Sequence, residues 1–285
     1  MIIGIDIGNY ATKTSERVIF DSKVSLTNIL GNNAIEIGGT SYQVGQGNYD
    51  TEYRKVSKES YLIFLYTAIL QSTNDIDNQI VLGLPIGQYK EDKEVLKGLI
   101  LSNRHYKGRY SNKNRELFIT EVEVYPEGPG AVANDFTGIL IDIGGRTTDI
   151  CYIIGGIKKK IENYKSIPQG TLNLYSSFIS SLNSKHGLDL KLNDAERILK
   201  NGLKVDGLAV NISSSMDSFK EYIEELIKQL QLDYSIKTNE VALLGGGSEL
   251  LYNPLKKRIP NSFLVNDPVF ANARIFKEVG ESIWL

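Results

Sequence analysis

One local pattern occurs twice in this chain and constrains its fold more than any other feature. In each copy, a run of apolar residues contains an aspartate and leads directly into a glycine turn: residues 2–7 contain Asp6, and residues 139–143 contain Asp142. Such β-branched runs predict buried strands, and the glycines predict a hairpin turn after each strand. Helix–strand units follow both copies, so we predict an α/β fold with two similar lobes and a cleft between them.

Each turn carries residue types that suit a phosphate site. Gly8 and Gly144 would let backbone N–H groups approach phosphate oxygens closely. Asp6 and Asp142 could each hold magnesium through its bound waters, and Lys13 could balance phosphate charge. A single Asp-x-Gly turn is also common in purely structural hairpins. The repetition of the pattern, rather than either copy alone, favours a phosphate site.

A third glycine-rich segment follows another apolar strand. Residues 241–244 are apolar and lead into Gly245, Gly246 and Gly247, after which a helix is expected. Backbone without side chains can lie flat against an adenosine and its α-phosphate. The same arrangement could equally be structural if it stood alone.

Composition narrows the class of protein. The 285 residues carry a formal net charge of −2, which gives no electrostatic basis for broad nucleic-acid binding. The single cysteine, Cys151, cannot form an internal disulfide, which fits a reducing compartment. No apolar run approaches the roughly 18 residues of a membrane span. We therefore expect a cytoplasmic protein with no membrane contact.

Hydrophobic periodicity predicts the remaining elements. Strands are expected at 14–21, 80–84, 117–125, 148–154 and after 158–160, with a hairpin over 34–47. Helices are expected at 57–72, 91–101, 128–134, 171–184, 193–201, 215–231 and 268–280.

Taken in order, the three glycine motifs resemble the nucleotide-binding signature of the actin–Hsp70–hexokinase superfamily. Residues 124–133 look like the first of that superfamily's two connecting helices, and residues 267–280 look like the second. Within the superfamily, residues 35–45, 83–89 and 142–149 resemble the plasmid-segregation actins, the ParM or StbA-like group. Most other members of the superfamily have a small residue at the position of Arg146. Its role therefore stays open: it could pair with a carboxylate, contact phosphate or face a neighbouring subunit.

This resemblance implies a two-lobed, actin-like (RNase H-like) architecture. The first lobe would span 1–133, with a small hairpin subdomain at about 20–56. The second would span 134–270, and a C-terminal helix at 271–285 would cross back to the first lobe.

The resemblance also assigns the site. Glu127 matches the residue that orients the attacking water, and Asp6 and Asp142 would act with it, holding Mg²⁺ through water. ATP, with GTP as the alternative, would be the nucleotide. Its predicted contacts are Gly8, Asn9, Tyr10, Thr12, Lys13, Gly144, Gly145, Arg146, Thr147, Gly245, Gly246 and Gly247, together with Glu196 and Lys200 for the base and ribose.

The implied function is a filament-forming ATPase that segregates plasmid or phage DNA. It would assemble head to tail with itself and reach DNA only through a ParR-like adaptor bound at a centromere-like site. Ile283 and Trp284 are candidates for filament contacts, or for a tail packed on the chain's own core. The alternatives are a small-molecule kinase of the same fold, a non-polymerising scaffold ATPase and a cell-shape actin. The sequence offers no clear catalytic base or sugar-binding insert for the first, and no amphipathic N-terminal helix for the last.

Overall fold

A computed structural model describes residues 1–27, 31–50 and 52–285 of the chain. Residues 28–30 and 51 fall inside the predicted subdomain at 20–56 and lie outside the described residues. The strands, β1 to β17 in chain order, are Ile2–Ile7, Ala11–Thr14, Ile19–Asp21, Lys23–Leu26, Ala34–Ile37, Thr40–Val44, Asn48–Tyr49, Asp77–Leu84, His105–Tyr110, Lys113–Pro126, Gly138–Ile143, Thr148–Ile154, Lys160–Ile167, Leu203–Val205, Leu208–Val210, Glu240–Leu244 and Ser262–Leu264. The α-helices, α1 to α7, are Tyr61–Ser72, Ile86–Ser102, Thr171–His186, Asp194–Asn201, Asp217–Asp233, Gly246–Arg258 and Ala271–Trp284.

The first sheet contains ten strands in the order β3-β2-β1-β8-β10-β9-β5-β6-β4-β7. β1 pairs with β2 in an antiparallel hairpin and with β8 in parallel, and β8 pairs in parallel with β10. Buried aliphatic residues of β1 and β8 pack with α1 in one apolar core. Asp6 is thereby held on a strand whose other side chains leave little room for movement.

The second sheet repeats this arrangement with five strands in the order β13-β12-β11-β16-β17. β11 pairs with β12 in an antiparallel hairpin and in parallel with β16, which pairs in parallel with β17. Helices α3 and α5 cover this sheet, and the apolar residues of α5 at helical spacing are buried, including Phe219, Leu226 and Leu230. The predicted α/β fold class with two similar lobes is confirmed.

The C-terminal helix α7 follows the second sheet in the chain but packs against β1 and β8 of the first. Lys277 Nζ lies 2.7 Å from Glu16 Oε1, which adds a polar contact between the helix and the first sheet. The chain therefore passes between the sheets twice, once between β10 and β11 and once between β17 and α7. The predicted lobe boundaries at 133/134 and 270/271 remain predictions.

Two predicted elements are wrong. The strand predicted at 14–21 is two strands, β2 and β3, because the chain turns between them and Arg17 adopts a positive φ of 66°. The helix predicted at 128–134, which the resemblance extends to a connecting helix at 124–133, is a single 3-10 turn at Pro129–Ala131. Strand β10 continues to Pro126 and occupies the start of that segment, since it pairs with β8 over its whole C-terminal half.

Smaller differences concern boundaries and six strands that were not predicted, namely β4, β7, β9, β14, β15 and β17. α2 begins at Ile86 rather than 91, directly after Pro85, and α7 begins at Ala271 rather than 268. Strand β9 was not predicted; its alternating residues His105–Tyr110 pair with β10. α4 ends where predicted, at Asn201, because Gly202 adopts a positive φ of 77°.

Candidate functional site

A cavity of about 590 Å³ lies between the two sheets. Residues from both hairpin turns, the triple-glycine segment and helix α4 line it. Of the residues predicted from sequence, the lining includes Asp6, Gly8, Asn9, Tyr10, Lys13, Glu127, Asp142, Gly144, Gly145, Thr147, Glu196, Lys200, Gly245, Gly246 and Gly247. The structure thus brings together segments that are far apart in the chain.

The first turn is closed by the backbone N–H of Gly8, which donates to the carbonyl of Ala11 at 3.2 Å. Asp6 and Lys13 lie opposite each other in the β1–β2 register. Lys13 Nζ lies 3.4 Å from Asp6 Oδ2, and Asp6 is only 5% exposed. The carboxylate at this strand end is therefore buried and paired with a cation.

The second turn has the same closure, because the N–H of Gly144 donates to the carbonyl of Thr147 at 2.9 Å. Gly145 lies directly against the first turn: a Cβ at this position would lie 2.5 Å from Tyr10 Cβ, closer than any side chain tolerates. The two turns consequently meet across the cleft, in the arrangement expected of a pair of phosphate-binding loops.

The charge around Asp142 differs from that around Asp6. In the β11–β12 register Asp142 faces Asp149, another acid. Burial, and then the negative charges of Asp149 and Asp6, raise the pKa of Asp142 to about 7. Asn272 Nδ2 donates to Asp142 Oδ2 at 3.2 Å and opposes this rise only in part. Burial also raises the pKa of Asp149. This half of the cleft thus carries an excess of acidic groups, which the charges of Lys13 and Lys55 offset only in part.

A divalent cation fits that imbalance. Asp6 and Asp142 line the same cavity, and the charge of Asp6 contributes to the raised pKa of Asp142. Among residues 1–27, 31–50 and 52–285, no group of three or more acidic, histidine or cysteine side chains is arranged to ligate a metal directly. The two carboxylates are suited to hold Mg²⁺ through its water shell, since Mg²⁺ usually keeps several waters and takes one or two carboxylates.

Glu127 lies at the end of β10, where its N–H donates to the carbonyl of Leu84 at 2.9 Å. Its Oε1 accepts a hydrogen bond from Lys55 Nζ, which also donates to the carbonyl of Gly83 at 3.3 Å and lies 3.7 Å from Asp6 Oδ1. Burial raises the pKa of Glu127, and the ammonium of Lys55 opposes that rise. Lys55, 3% exposed, thus joins the carboxylates of Glu127 and Asp6.

The triple-glycine segment packs closely against Asp142. Gly245 adopts a positive φ of 85°, and a Cβ there would lie 2.4 Å from Asp142 Oδ1. Only glycine satisfies both constraints. Helix α6 begins at the next residue, Gly246, so its first N–H groups face the cavity region.

Two predicted contacts do not line the cavity. Thr12 is fully buried, and its Oγ1 shares a 3.0 Å hydrogen bond with Ser22 Oγ, so the structure places it outside the cavity lining. Its contact with phosphate remains a prediction. Arg146 lies near Lys58: burial, and then the charges of Lys55 and Arg146, lower the pKa of Lys58 to about 8.

Sequence reasoning missed several residues of the site. Lys55, Asp149, Tyr175 and Asn272 line the cavity but were not assigned a role. Asp149 and Asn272 fall within motifs that were already noted, and the register of β11 with β12 would have placed Asp149 beside Asp142. Lys55 lies in no recognisable motif, and its contact with Glu127 depends on the fold.

Comparisons with known proteins agree with this geometry. Residues 4–130 match a model of the N-terminal domain of actin-like proteins. Residues 140–257 match a model described as the C-terminal domain of the archaeal, MreB-like actin homologue. An archaeal actin homologue from Thermoplasma acidophilum is 23% identical, with 99% of each chain covered.

Solved structures share the fold. A crystal structure of an archaeal actin homologue superposes with a TM-score of 0.82 at 21% identity, covering 99% of each chain. A structure of that archaeal homologue in complex with ADP gives 0.81 at 21% identity, with the same coverage. A 15-stranded ParM filament from Clostridium botulinum gives 0.79 at 22% identity, again covering 99% of each chain.

The described residues contain no helix long and apolar enough to cross a membrane. Both halves of the chain match actin-like domains, and the whole chain shares their two-lobed fold with a cleft between two aspartate-bearing turns. On these grounds the chain consists largely of two actin-like domains.

Proposed function

We propose that this chain is a nucleotide-dependent, filament-forming ATPase that segregates plasmid or phage DNA through a centromere-binding adaptor. One observation carries the enzymatic part: two matching aspartate turns meet across a single cleft, with the carboxylate of Glu127, whose side chain is 13% exposed, beside them. Nucleoside triphosphates are the ligands that such paired turns suit, because their backbone N–H groups can face phosphate oxygens from both sides.

In this proposal ATP occupies the cleft, with GTP as the alternative. The turns after Asp6 and Asp142 hold the β- and γ-phosphates, and Lys13 steadies them. The segment Gly245–Gly247 carries the adenosine, and Glu196 and Lys200 face the base and ribose. The ADP complex of the archaeal actin homologue supports a nucleotide in this cleft.

Glu127 would position the attacking water in line with the γ-phosphate. Hydrolysis of this kind is mainly a positioning task, so a rigid carboxylate is required. The hydrogen bond from Lys55 and the fixed end of β10 supply that rigidity. When bound, Mg²⁺ would neutralise phosphate charge, with Asp6 and Asp142 as the residues that hold its waters.

Self-association is supported by the likeness to a ParM filament. Head-to-tail contacts that do not close into a ring produce such filaments. The formal net charge of −2 fits a protein that reaches DNA indirectly, through a ParR-like adaptor. We place this activity in the cytoplasm.

Light scattering and pelleting at micromolar protein test the proposal, with magnesium and ATP, GTP, ADP or no nucleotide. We expect scattering to rise with a nucleoside triphosphate and to decay as phosphate is released. If the protein binds ATP but forms no polymer at any concentration, the filament function is wrong, and a scaffold ATPase or a kinase of the same fold takes its place.

A further inference from the structure

At one edge of the cleft, side chains of the first lobe form hydrogen bonds with helix α4 of the second lobe and with the residue just before it. Helix α4, Asp194–Asn201, belongs to neither of the two chain crossings between the sheets. Its contacts with the first lobe are therefore free to break without disturbing those covalent connections. Two side-chain bridges make the contact, one from Tyr10 and one from Lys23.

The first bridge is the side chain of Tyr10, which projects from the first phosphate turn. Its hydroxyl donates to Glu196 Oε1 at 2.7 Å. Its ring stacks on Tyr49 of the first lobe, with centroids 5.8 Å apart, and meets the edge of Tyr175 of the second lobe at 6.0 Å. Burial, and then the neighbouring Glu196, raise the pKa of Tyr10, so this hydroxyl stays a donor at neutral pH.

The second bridge is Lys23, which is 4% exposed. Its Nζ donates to Asn193 Oδ1, just before α4, and to Asp21 Oδ2 of its own lobe at 3.1 Å. The same ammonium lies 4.5 Å from the ring centroid of Tyr49. Tyr49 thus touches both bridging side chains and joins them into one unit, which we call the α4 clasp (Tyr10, Lys23 and Tyr49).

The clasp lies over the cavity. Tyr10 and Glu196, the two ends of the first bridge, line it together with Tyr175 and Lys200, so a nucleotide bound there would lie directly against that bridge. We propose that the α4 clasp must open for nucleotide to leave, and that the hydrogen bond from Tyr10 to Glu196 limits the rate of nucleotide exchange. This inference rests on nucleotide binding in the proposed function but not on filament formation or DNA segregation.

Two tyrosine hydroxyls donate to the same carboxylate oxygen of Glu196, one from each lobe. A hydrogen bond to a carboxylate is stronger than one between neutral groups. Tyr175 offers a matched control, because its hydroxyl donates to the same Glu196 oxygen at 3.3 Å but from within the same lobe. Removing either hydroxyl takes one donor from Glu196 at the cavity, yet only the Tyr10 hydroxyl ties one lobe to the other.

The experiment measures release of a fluorescent ATP analogue, bound with magnesium and chased with excess ATP in a stopped-flow instrument. The protein is kept at a concentration too low for polymer to form. For Tyr10→Phe we expect dissociation about tenfold faster than wild type, the change that corresponds to about 1.4 kcal/mol. Tyr175→Phe should change the rate by less than about twofold, and Lys23→Met, which removes the second bridge, should also accelerate release.

A double-mutant cycle separates the bridge from general damage. In a Glu196→Ala background, Tyr10→Phe should add little, because its partner is already gone. A Tyr10→Phe rate within twofold of wild type, or equal acceleration by Tyr10→Phe and Tyr175→Phe, would overturn the clasp while leaving the proposed function intact. Failure of the wild-type chain to bind the analogue at all would overturn both.

Discussion

The two aspartate-bearing turns share one backbone design but differ in the charges around their aspartates. Each follows a buried strand, and each is closed by a glycine N–H that donates to a carbonyl three residues later. Across the hairpin, however, Asp6 faces Lys13, whereas Asp142 faces Asp149. The first lobe therefore pairs its carboxylate with a cation, and the second leaves its carboxylate beside a like charge.

This difference shows that backbone geometry and charge can diverge independently within a repeat. The geometry that presents N–H groups to phosphate is kept in both lobes. The charges are divided: Lys13 and Lys55 stand around Asp6, while the pKa of Asp142 is raised to about 7 by burial and by neighbouring acids. The carboxylate of the first turn is thus surrounded by ammonium groups, whereas that of the second turn lies beside another acid.

The largest expected effect concerns Glu127, the carboxylate proposed to orient the attacking water. Glu127→Ala should slow hydrolysis about a hundredfold, because the attacking water loses its orienting group. Nucleotide affinity should stay within about threefold of wild type, since Glu127 is not expected to hold the nucleotide. Phosphate release and equilibrium binding measure the two effects.

Glu123→Ala is the matched control for this variant. Glu123 lies on the same strand, β10, but pairs with Lys93 and Lys97 at 2.9 and 3.1 Å and does not line the cavity. It should hydrolyse ATP at the wild-type rate. Hydrolysis by Glu127→Ala at that same rate would contradict the assignment.

A variant that copies the charge pair of the first turn into the second tests whether the acidic pair Asp142 and Asp149 is needed for nucleotide binding in magnesium. Asp149→Lys would give Asp142 an ammonium partner, as Lys13 does for Asp6. The ammonium should compete with the metal, so ATP affinity in magnesium should fall by about tenfold, or about 1.4 kcal/mol. Calorimetric titration with and without magnesium measures the change.

Asp149→Asn is the control that distinguishes loss of the negative charge from the introduction of a positively charged, longer side chain. The amide keeps the size of the side chain and removes its negative charge without adding a cation. Its loss of affinity should be clearly smaller than that of Asp149→Lys. Equal losses for the two variants would show that the second turn does not depend on its negative charge.

Elements that depend on local sequence were predicted correctly, whereas contacts that depend on the fold were not. The strand–turn units were predictable because local residues dictate them: β1 and β11 are apolar runs that end at glycine turns. The role of Lys55 was not predictable, because a 3-10 turn carries it to Glu127 from a segment with no motif. The helix predicted at 128–134 does not form: β10 pairs with β8 as far as Pro126, Gly128 adopts a positive φ of 97°, and a 3-10 turn at Pro129–Ala131 follows.

Lys58 lies beside the first turn and gives a smaller, pH-dependent effect. Its Nζ donates to Asn9 Oδ1, and burial, followed by the charges of Lys55 and Arg146, lowers its pKa from 10.5 to about 8. Between these values the unfolded chain binds more protons than the folded one, so the stability of the nucleotide-free protein should rise with pH from about 8 to 10.5.

Lys58→Met should abolish that dependence. The variant should melt at a higher temperature than wild type at pH 7, and the gap should narrow as pH rises through this window, because wild-type Lys58 then loses its buried charge. Thermal unfolding across the pH series provides the measurement, with the exposed Lys228→Met as control. A gap that stays constant with pH would rule out the buried ammonium as its cause.

The smallest effect concerns the threonines at equivalent places in the two hairpins. Thr12 and Thr148 follow the two turns, and both are fully buried and hydrogen-bonded away from the cavity, to Ser22 and Tyr222. Thr12→Val should leave ATP affinity within twofold of wild type and cost about 1 kcal/mol of unfolding free energy. A large loss of affinity with unchanged stability would instead place Thr12 at the phosphate site.

We propose that both turns hold one magnesium nucleotide between them. The experiment is a calorimetric titration of the wild-type chain with ATP, in magnesium and in a chelator, with Asp6→Asn and Asp142→Asn alongside. We expect one site per chain, tighter binding in magnesium, and loss of that magnesium-dependent gain in both variants. Binding of equal strength with and without magnesium, or a gain that survives either substitution, would show that the two turns do not share a magnesium nucleotide.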